Sequence, residues 1–180
     1  YPMLTPKSLY GGSAGVGLFY LRLYQVTKKD EYLEEAKASA KELIETDEGI
    51  AFYERTLKLG VTEDKLVHVK NMPGWIAGFN NGPTGQAYFV LKLYEVTKDE
   101  AYLKYAEKVA DDVIAAGKTE GDYLYWSEQL DYCGDGSYIP YFAELYRVTK
   151  NDKYADAARR FGNYLLTKGK PAPNGGTYWN

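Results

Sequence analysis

The stretch that decides the fold runs from Gly82 to Ala110: GPTGQAYFVLKLYEVTKDEAYLKYAEKVA. A Gly-x-x-Gly opening leads into Ala87, Tyr88, Phe89, Val90, Leu91, Leu93 and Tyr94, apolar on nearly every side. A helix with no polar face is one that neighbours enclose. After Thr97 the pattern changes. Tyr102, Ala106, Val109 and Val113 recur at steps of four, three and four, which is one stripe of an amphipathic helix. Asp99 stands at its start, where an acid offsets the helix dipole, and Gly117 just past its end, where a left-handed cap is expected. The segment therefore predicts a helical hairpin with one buried and one sheathing helix.

The same hairpin occurs twice more. Gly12–Ser13–Ala14–Gly15 leads to Leu23–Tyr24–Gln25–Val26–Thr27, and Gly134–Asp135–Gly136–Ser137 leads to Leu145–Tyr146–Arg147–Val148–Thr149. The three Thr residues stand 70 and 52 residues apart, and each is followed by a Tyr (Tyr32, Tyr102, Tyr154) and an Ala (Ala36, Ala106, Ala158) at fixed distances. Repetition at this density predicts an array of like units. Inner helices are expected near 15–26, 85–96 and 137–148. Pro140 falls in the first turn of the third, where a missing N–H costs little. Asp152 and Gly169 repeat the roles of Asp99 and Gly117. Between hairpins, the Gly- and aromatic-rich segments 49–53, 121–126 and 175–179 are expected to form short strands or hairpins. The repeats span about 10–50, 78–118 and 132–170 of a single domain, 1–180. Trp75 precedes one glycine motif and Trp126 another. Trp179 holds the place before a fourth, so the array is expected to be part of a larger ring, or to complete one by pairing with another copy.

Composition narrows the function classes. The hydrophobic share is 45% and the charged share 26%, ordinary for a globular domain, and the net charge is −3. No field attracts nucleic acid and no apolar run approaches a membrane span, so neither partner is expected. Lys and Glu alternate along the second helix, as in Glu34, Glu35, Lys37, Lys41 and Glu42, which marks a solvated face. The 19 Tyr suit packed seams and polar clefts alike. One Cys and one His supply neither a disulfide nor a structural zinc site, so no metal or other cofactor is expected. The chain opens Tyr1–Pro2 with no initiator Met or leader, and the natural N-terminus is expected to lie elsewhere or to have been processed.

Gly-x-x-Gly opening an apolar helix, followed by Leu-Tyr-x-Val-Thr-x-acid-x-x-Tyr-Leu-x-x-Ala, resembles the lanthionine synthetase C-like family over most of Tyr10–Gly169. The resemblance implies an α/α toroid, an architecture shared with six-hairpin glycosidases. Three hairpins make an incomplete ring of that kind. The family's cyclase chemistry implies zinc held by two Cys and one His, with a Cys-His pair directly before one glycine motif. The matching positions here are Tyr10–Gly11, Asn80–Asn81 and Tyr132–Cys133, so the triad is absent from this chain.

In such a ring the loops before the inner helices gather at one mouth, where helix N-termini direct N–H groups inward. The candidate binding residues there are Trp75, Asn80, Asn81, Trp126, Tyr132 and Cys133. Indole faces would stack on a sugar ring and amides would bind hydroxyls. Glu128, Asp131 and Asp135 are the clustered acids of a motif loop and the candidate catalytic residues, two of which would do the acid–base work on a glycoside. Each has a plainer reading: Asp135 as a helix cap, Glu128 and Asp131 as solvated loop acids, Cys133 as a small buried hydrophobe. His68 alternates within a strand-like run as a candidate base or a partly buried loop residue. The glycines read as close packing of helix starts, because no Lys-Ser/Thr follows them to make a phosphate cradle. The expected function is an α/α-toroid module that binds a peptide or small polar ligand, or forms part of a larger enzyme. The alternatives are a carbohydrate-active enzyme of the six-hairpin type and a structural interaction repeat.

Overall fold

The structure, a computed structural model, describes residues 7–45, 79–80, 82–126 and 138–178. Among them the chain forms three helical hairpins: α1 (Ser13–Thr27) with α2 (Asp30–Glu45), α3 (Pro83–Thr97) with α4 (Glu100–Ala116), and α5 (Tyr138–Thr149) with α6 (Asp152–Lys168). Helices α1, α3 and α5 pack on one another in succession as the inner layer, and α2, α4 and α6 sheathe them. The expected inner helices are found, and the architecture is that of an incomplete α/α toroid. Two antiparallel hairpins follow the second and third repeats: β1 (Lys118–Glu120) with β2 (Tyr123–Tyr125), and β3 (Lys170–Pro171) with β4 (Thr177–Tyr178). The expected strand at 49–53 lies outside the described residues.

The Leu-Tyr-x-Val-Thr-Lys signature is turn chemistry. In each repeat the Thr hydroxyl donates to the Leu carbonyl four residues back and accepts the N–H two residues on. For Thr97 the partners are Leu93, at 3.0 Å, and Asp99, at 3.3 Å. Thr27 and Thr149 repeat both bonds. The intervening Lys28, Lys98 and Lys150 take left-handed φ of 58°, 61° and 57°. Each donates its N–H to the Tyr carbonyl, at 2.8 Å, and lays its ammonium over that Tyr ring. These residues reverse the chain within two residues and start the outer helix, where Asp99 and Asn151 cap α4 and α6 with their side chains.

Two expectations are corrected. Gly117 and Gly169 are extended, with φ of −76° and −66°, because the left-handed residues sit at the other turn of each hairpin. A β-carbon on Gly117 would meet Leu124 Cδ1 at 2.7 Å, so close approach of β2 accounts for that glycine. The inner helices are also not equally enclosed. Helix α3 buries Thr84, Gly85, Ala87, Phe89, Val90, Leu91 and Leu93, whereas α1 buries only Ala14, Gly17 and Leu21. Phe19 is 59% exposed and Val26 83%. Among the described residues, helix α3 has an inner neighbour on each side, α1 on one and α5 on the other, and α1 has one only on the α3 side.

The glycine motif packs its preceding loop onto the first helical turn. A β-carbon on Gly15 would overlap the Leu9 carbonyl oxygen, and one on Gly85 would overlap that of Phe79. Gly85→Ala should destabilise the fold by ~2 kcal/mol or more, since backbone must move. Gly162→Ala is the control: it lies inside α6, its nearest contact would be Ile139 Cδ1 at 3.9 Å, and Ala40 and Ala110 hold the same place in the other repeats. That change should stabilise by about 0.5–1 kcal/mol. Urea unfolding of the two variants beside the parent tests both signs.

Candidate functional site

The mouth of the array is built by loop-to-helix hydrogen bonds. The Ser8 carbonyl accepts from the N–H groups of Gly12, at 3.0 Å, and Gly15, at 3.3 Å, while the Ser8 hydroxyl accepts from Gly11 N–H. Tyr10 N–H donates to the Asn80 carbonyl at 3.0 Å, tying the loop before α1 to the loop before α3. Tyr10 and Asn80 occupy the same position in successive repeats, and Tyr132 is their third copy. Both Tyr10 and Asn80 are exposed, and the Tyr10 ring is 77% accessible. The mouth therefore presents an exposed aromatic side chain and an exposed Asn on adjoining strands of loop. Tyr10 was not among the sequence candidates, though its alignment with Asn80 was the signal that could have found it.

Of the residues expected at this mouth, Asn80 is in place. Trp126 is a correction. Its indole is 3% exposed and is enclosed by Tyr138, Phe142 and Phe161, with ring centroids at 4.5, 6.3 and 5.0 Å. Its Nε1–H donates to the Val113 carbonyl at 2.6 Å. Both faces serve the seam between the second and third repeats, so the ring has no side to offer a sugar. Trp75, Asn81, Glu128, Asp131, Tyr132, Cys133, Asp135 and His68 lie outside the described residues.

The β1–β2 turn is clamped to the same seam from outside. Asp122 accepts both guanidinium nitrogens of Arg159, at 2.6 and 2.9 Å, and the Asn163 amide. These bonds, the Arg159 pair first, hold its carboxyl below the usual range. Tyr125 stacks on Tyr164 at 4.3 Å. Grooves on the outer surface run between α2 and α4 and between α4 and α6, the first about 400 Å³ and lined by Glu34, Lys37, Lys41, Ile44 and Tyr102. They fall at equivalent places in consecutive repeats and are seams of the architecture.

A charged cluster joins α3 to α5. Lys92 Nζ donates to Glu95, at 2.9 Å, and to Glu144, while Arg147 donates to Glu144, at 3.0 Å, and to Glu95. Burial opposes the charge on Lys92, but its bonds to Glu144 and Glu95 outweigh it and hold the ammonium above its ordinary 10.5. Burial would likewise raise both carboxyls, but the bonds from Arg147 and Lys92 keep them below 4.5. Four charges that satisfy one another make an inter-repeat tie, with no proton poised for transfer near neutrality.

The family model described as Glycosyl Hydrolase Family 88 matches residues 61–180, two thirds of the chain. The chain belongs to that family. A second model, Lanthionine synthetase C-like protein, matches residues 4–55 and bears out the resemblance read from the motif. No curated protein matches. Among solved structures, a glycoside hydrolase family 76 mannosidase from Bacteroides thetaiotaomicron VPI-5482 aligns at TM-score 0.52 and 18% identity, covering 92% of this chain and 47% of that one. An inactive variant of an α-1,6-mannanase of Salegentibacter sp. HEL1_6, solved with α-1,6-mannotetrose, aligns at TM-score 0.52 and 18% identity, covering 91% and 48%. At that identity the likeness establishes the fold alone. This Family 88 chain spans about half the length of the solved structures it matches.

Two outcomes follow for the Family 88 chain. The Glu95 and Glu144 carboxyls sit below their unfolded values, so their contribution is present above about pH 4.5 and lost as pH falls through the lowered values. Lys92 sits above its unfolded value, so its contribution holds below about pH 10.5 and fades beyond it. Lys92→Met should cost about 1–3 kcal/mol at pH 7 and flatten the acid limb of a stability-versus-pH curve. Trp126→Ala should cost ~3–5 kcal/mol as a core truncation. In the folded parent, the emission of this indole should resist quenching by added oligosaccharide.

Proposed function

We propose that this chain forms one wall of a carbohydrate cleft in a larger α/α-toroid enzyme. The cleft lies at the mouth where the loops before α1 and α3 meet. The observation that carries this reading is the Family 88 match across 61–180, the stretch containing Asn80, Asn81 and the acid cluster Glu128, Asp131 and Asp135. The exposed Tyr10 ring beside Asn80 supports it: an aromatic face stacks on a pyranose while an adjacent amide bonds its hydroxyls. Tyr10 takes the stacking role that Trp126 is too buried to fill.

Chemistry at such a cleft needs two carboxylates, one donating a proton to the leaving oxygen and one acting on the other face of the sugar. Both aligned relatives are named for action on mannose glycans, and the inactive mannanase variant has two consecutive aspartates replaced by alanine. The consecutive aspartates here, Asp111 and Asp112, sit on the exposed face of α4, paired with Lys153 and Lys108. They are surface ion pairs, and the acids proposed for catalysis are the motif-loop cluster Glu128, Asp131 and Asp135. A second reading, a peptide ligand, is favoured by the lanthionine synthetase C-like match over 4–55.

Calorimetric titration separates the two. α-1,6-Mannotetrose and a set of uronic-acid oligosaccharides are titrated in parallel with an unstructured Ser/Thr-rich peptide. Saturable heat with an oligosaccharide, weakened roughly tenfold by Tyr10→Ala and by Asn80→Ala with unchanged helicity, is the expected result. Saturable binding of the peptide alone would transfer the site to the second reading. Binding of a sugar unaffected by either substitution would move the cleft elsewhere on the chain.

A further inference from the structure

We propose that Tyr88 is a substrate-binding residue of the cleft, its hydroxyl bonding a sugar hydroxyl; the inference rests on the carbohydrate reading above. The repeats act as controls for one another. Where the fold demands a residue, all three hairpins carry it, as with Tyr24, Tyr94 and Tyr146 at the turn. Position 88 is not of that kind. Its copies are Leu18 and Pro140, so the hairpin forms without an aromatic ring or a hydroxyl there. The same holds for Asn80, whose copies are Tyr10 and Tyr132. Two polar residues that the architecture does not require thus stand in one repeat, at the mouth and on the helix that leads inward from it.

Placement joins the two. Tyr88, Lys92 and Glu95 are half-buried at steps of four and three, one face of α3, while Val90 on the opposite side of the helix is fully buried. Helices α2 and α4 sheathe the layer from outside, so the face that carries Tyr88 is the concave one. Whatever hairpins complete the ring, that face lines its centre. Phe79 ties Tyr88 to the mouth: the two rings meet in a T-shaped contact at 5.0 Å, and the next residue in the chain is Asn80. Lys92 holds its ammonium over the Tyr88 ring, at 5.2 Å, and is itself anchored by Glu95 and Glu144. A ring fixed by two neighbours has little freedom left to lose when a ligand binds. Its hydroxyl has no hydrogen-bond partner among the described residues. Tyrosines that reach across the seams behave differently: Tyr141 donates to the Ala106 carbonyl and Tyr154 to Glu107. A phenol both donates and accepts, as a sugar hydroxyl does, so a held ring with an uncommitted hydroxyl suits that partner.

α-1,6-Mannotetrose and the uronic-acid oligosaccharides are titrated into Tyr88→Phe and Tyr88→Leu proteins, beside the parent and Tyr10→Ala. Tyr88→Phe keeps the ring and removes the hydroxyl, and should weaken binding about threefold to tenfold. Tyr88→Leu, which installs the residue of the first repeat, should weaken it about tenfold or more. Helicity should be unchanged in both, and so should the urea midpoint of Tyr88→Phe. Nitration by tetranitromethane, mapped by peptide mass, supplies a readout that a packing role would not move. A saturating oligosaccharide should suppress nitration at Tyr88 and leave Tyr146, exposed at the far end of α5, unchanged. A parent that binds no oligosaccharide overturns the carbohydrate reading, and the role of Tyr88 with it. Binding that Tyr10→Ala weakens and Tyr88→Phe leaves unchanged, or nitration of Tyr88 indifferent to the sugar, overturns the role of Tyr88 alone.

Discussion

The Phe79 carbonyl oxygen lies where a β-carbon on residue 85 would have to be, and the Leu9 carbonyl stands in the same relation to residue 15. That one steric constraint fixes the entry of two inner helices. A loop pressed onto the first turn exposes its carbonyls to the helix N–H groups, and Ser8 answers those of Gly12 and Gly15. Because both loops enter in the same way, they lie side by side and join through Tyr10 and Asn80. The inner helices then start level, and their equivalent positions face one another along the layer. Only in that register do Lys92 and Glu144, copies of one another, meet as an ion pair.

The far ends of the same helices are held by a different device. The Thr hydroxyl satisfies a carbonyl behind it and an N–H ahead of it, and a left-handed Lys closes the turn at φ near 60°. A left-handed lysine is strained relative to glycine, and its ammonium over the Tyr ring returns part of that cost. Rigid ends at both termini leave the array little freedom except at its seams, where Trp126, Tyr141 and the Asp122–Arg159 pair couple the second repeat to the third.

The fold was legible because it is periodic. Apolar runs and a three-fold motif located every inner helix, and the four-three-four stripe located the outer ones. What the pattern does not contain is the neighbour. Phe19 and Phe89 are the same residue in the same motif, and one is exposed and the other buried only because of what lies beside each. The Gly117 expectation failed for a related reason: glycine after a helix signals either a left-handed turn or a close approach, and Leu124, seven residues on, decides for the second. The site was less legible still. Trp126 looked like a sugar platform because indole is used for both stacking and core packing, and the Val113 carbonyl that claims its N–H is thirteen residues away in sequence. Tyr10 was read only as the counterpart of a missing metal ligand.

The two helices of the first hairpin differ in the chemistry of the positions that their copies bury. On α2 the positions matching Tyr105 and Ala157, and Val109 and Phe161, are Glu35 and Ser39, so the outer helix of the first repeat has polar residues where its copies are buried. On α1 the equivalent positions stay apolar: Phe19 matches Phe89, and Val26 matches Val96 and Val148. Two helices of one hairpin, facing the same direction, thus differ in kind. Solvation explains the outer one. On the inner one, Phe19 is 59% exposed and Val16 51% among the described residues. Tyr141, whose hydroxyl finds the Ala106 carbonyl, shows what this position carries when the opposing surface offers an acceptor.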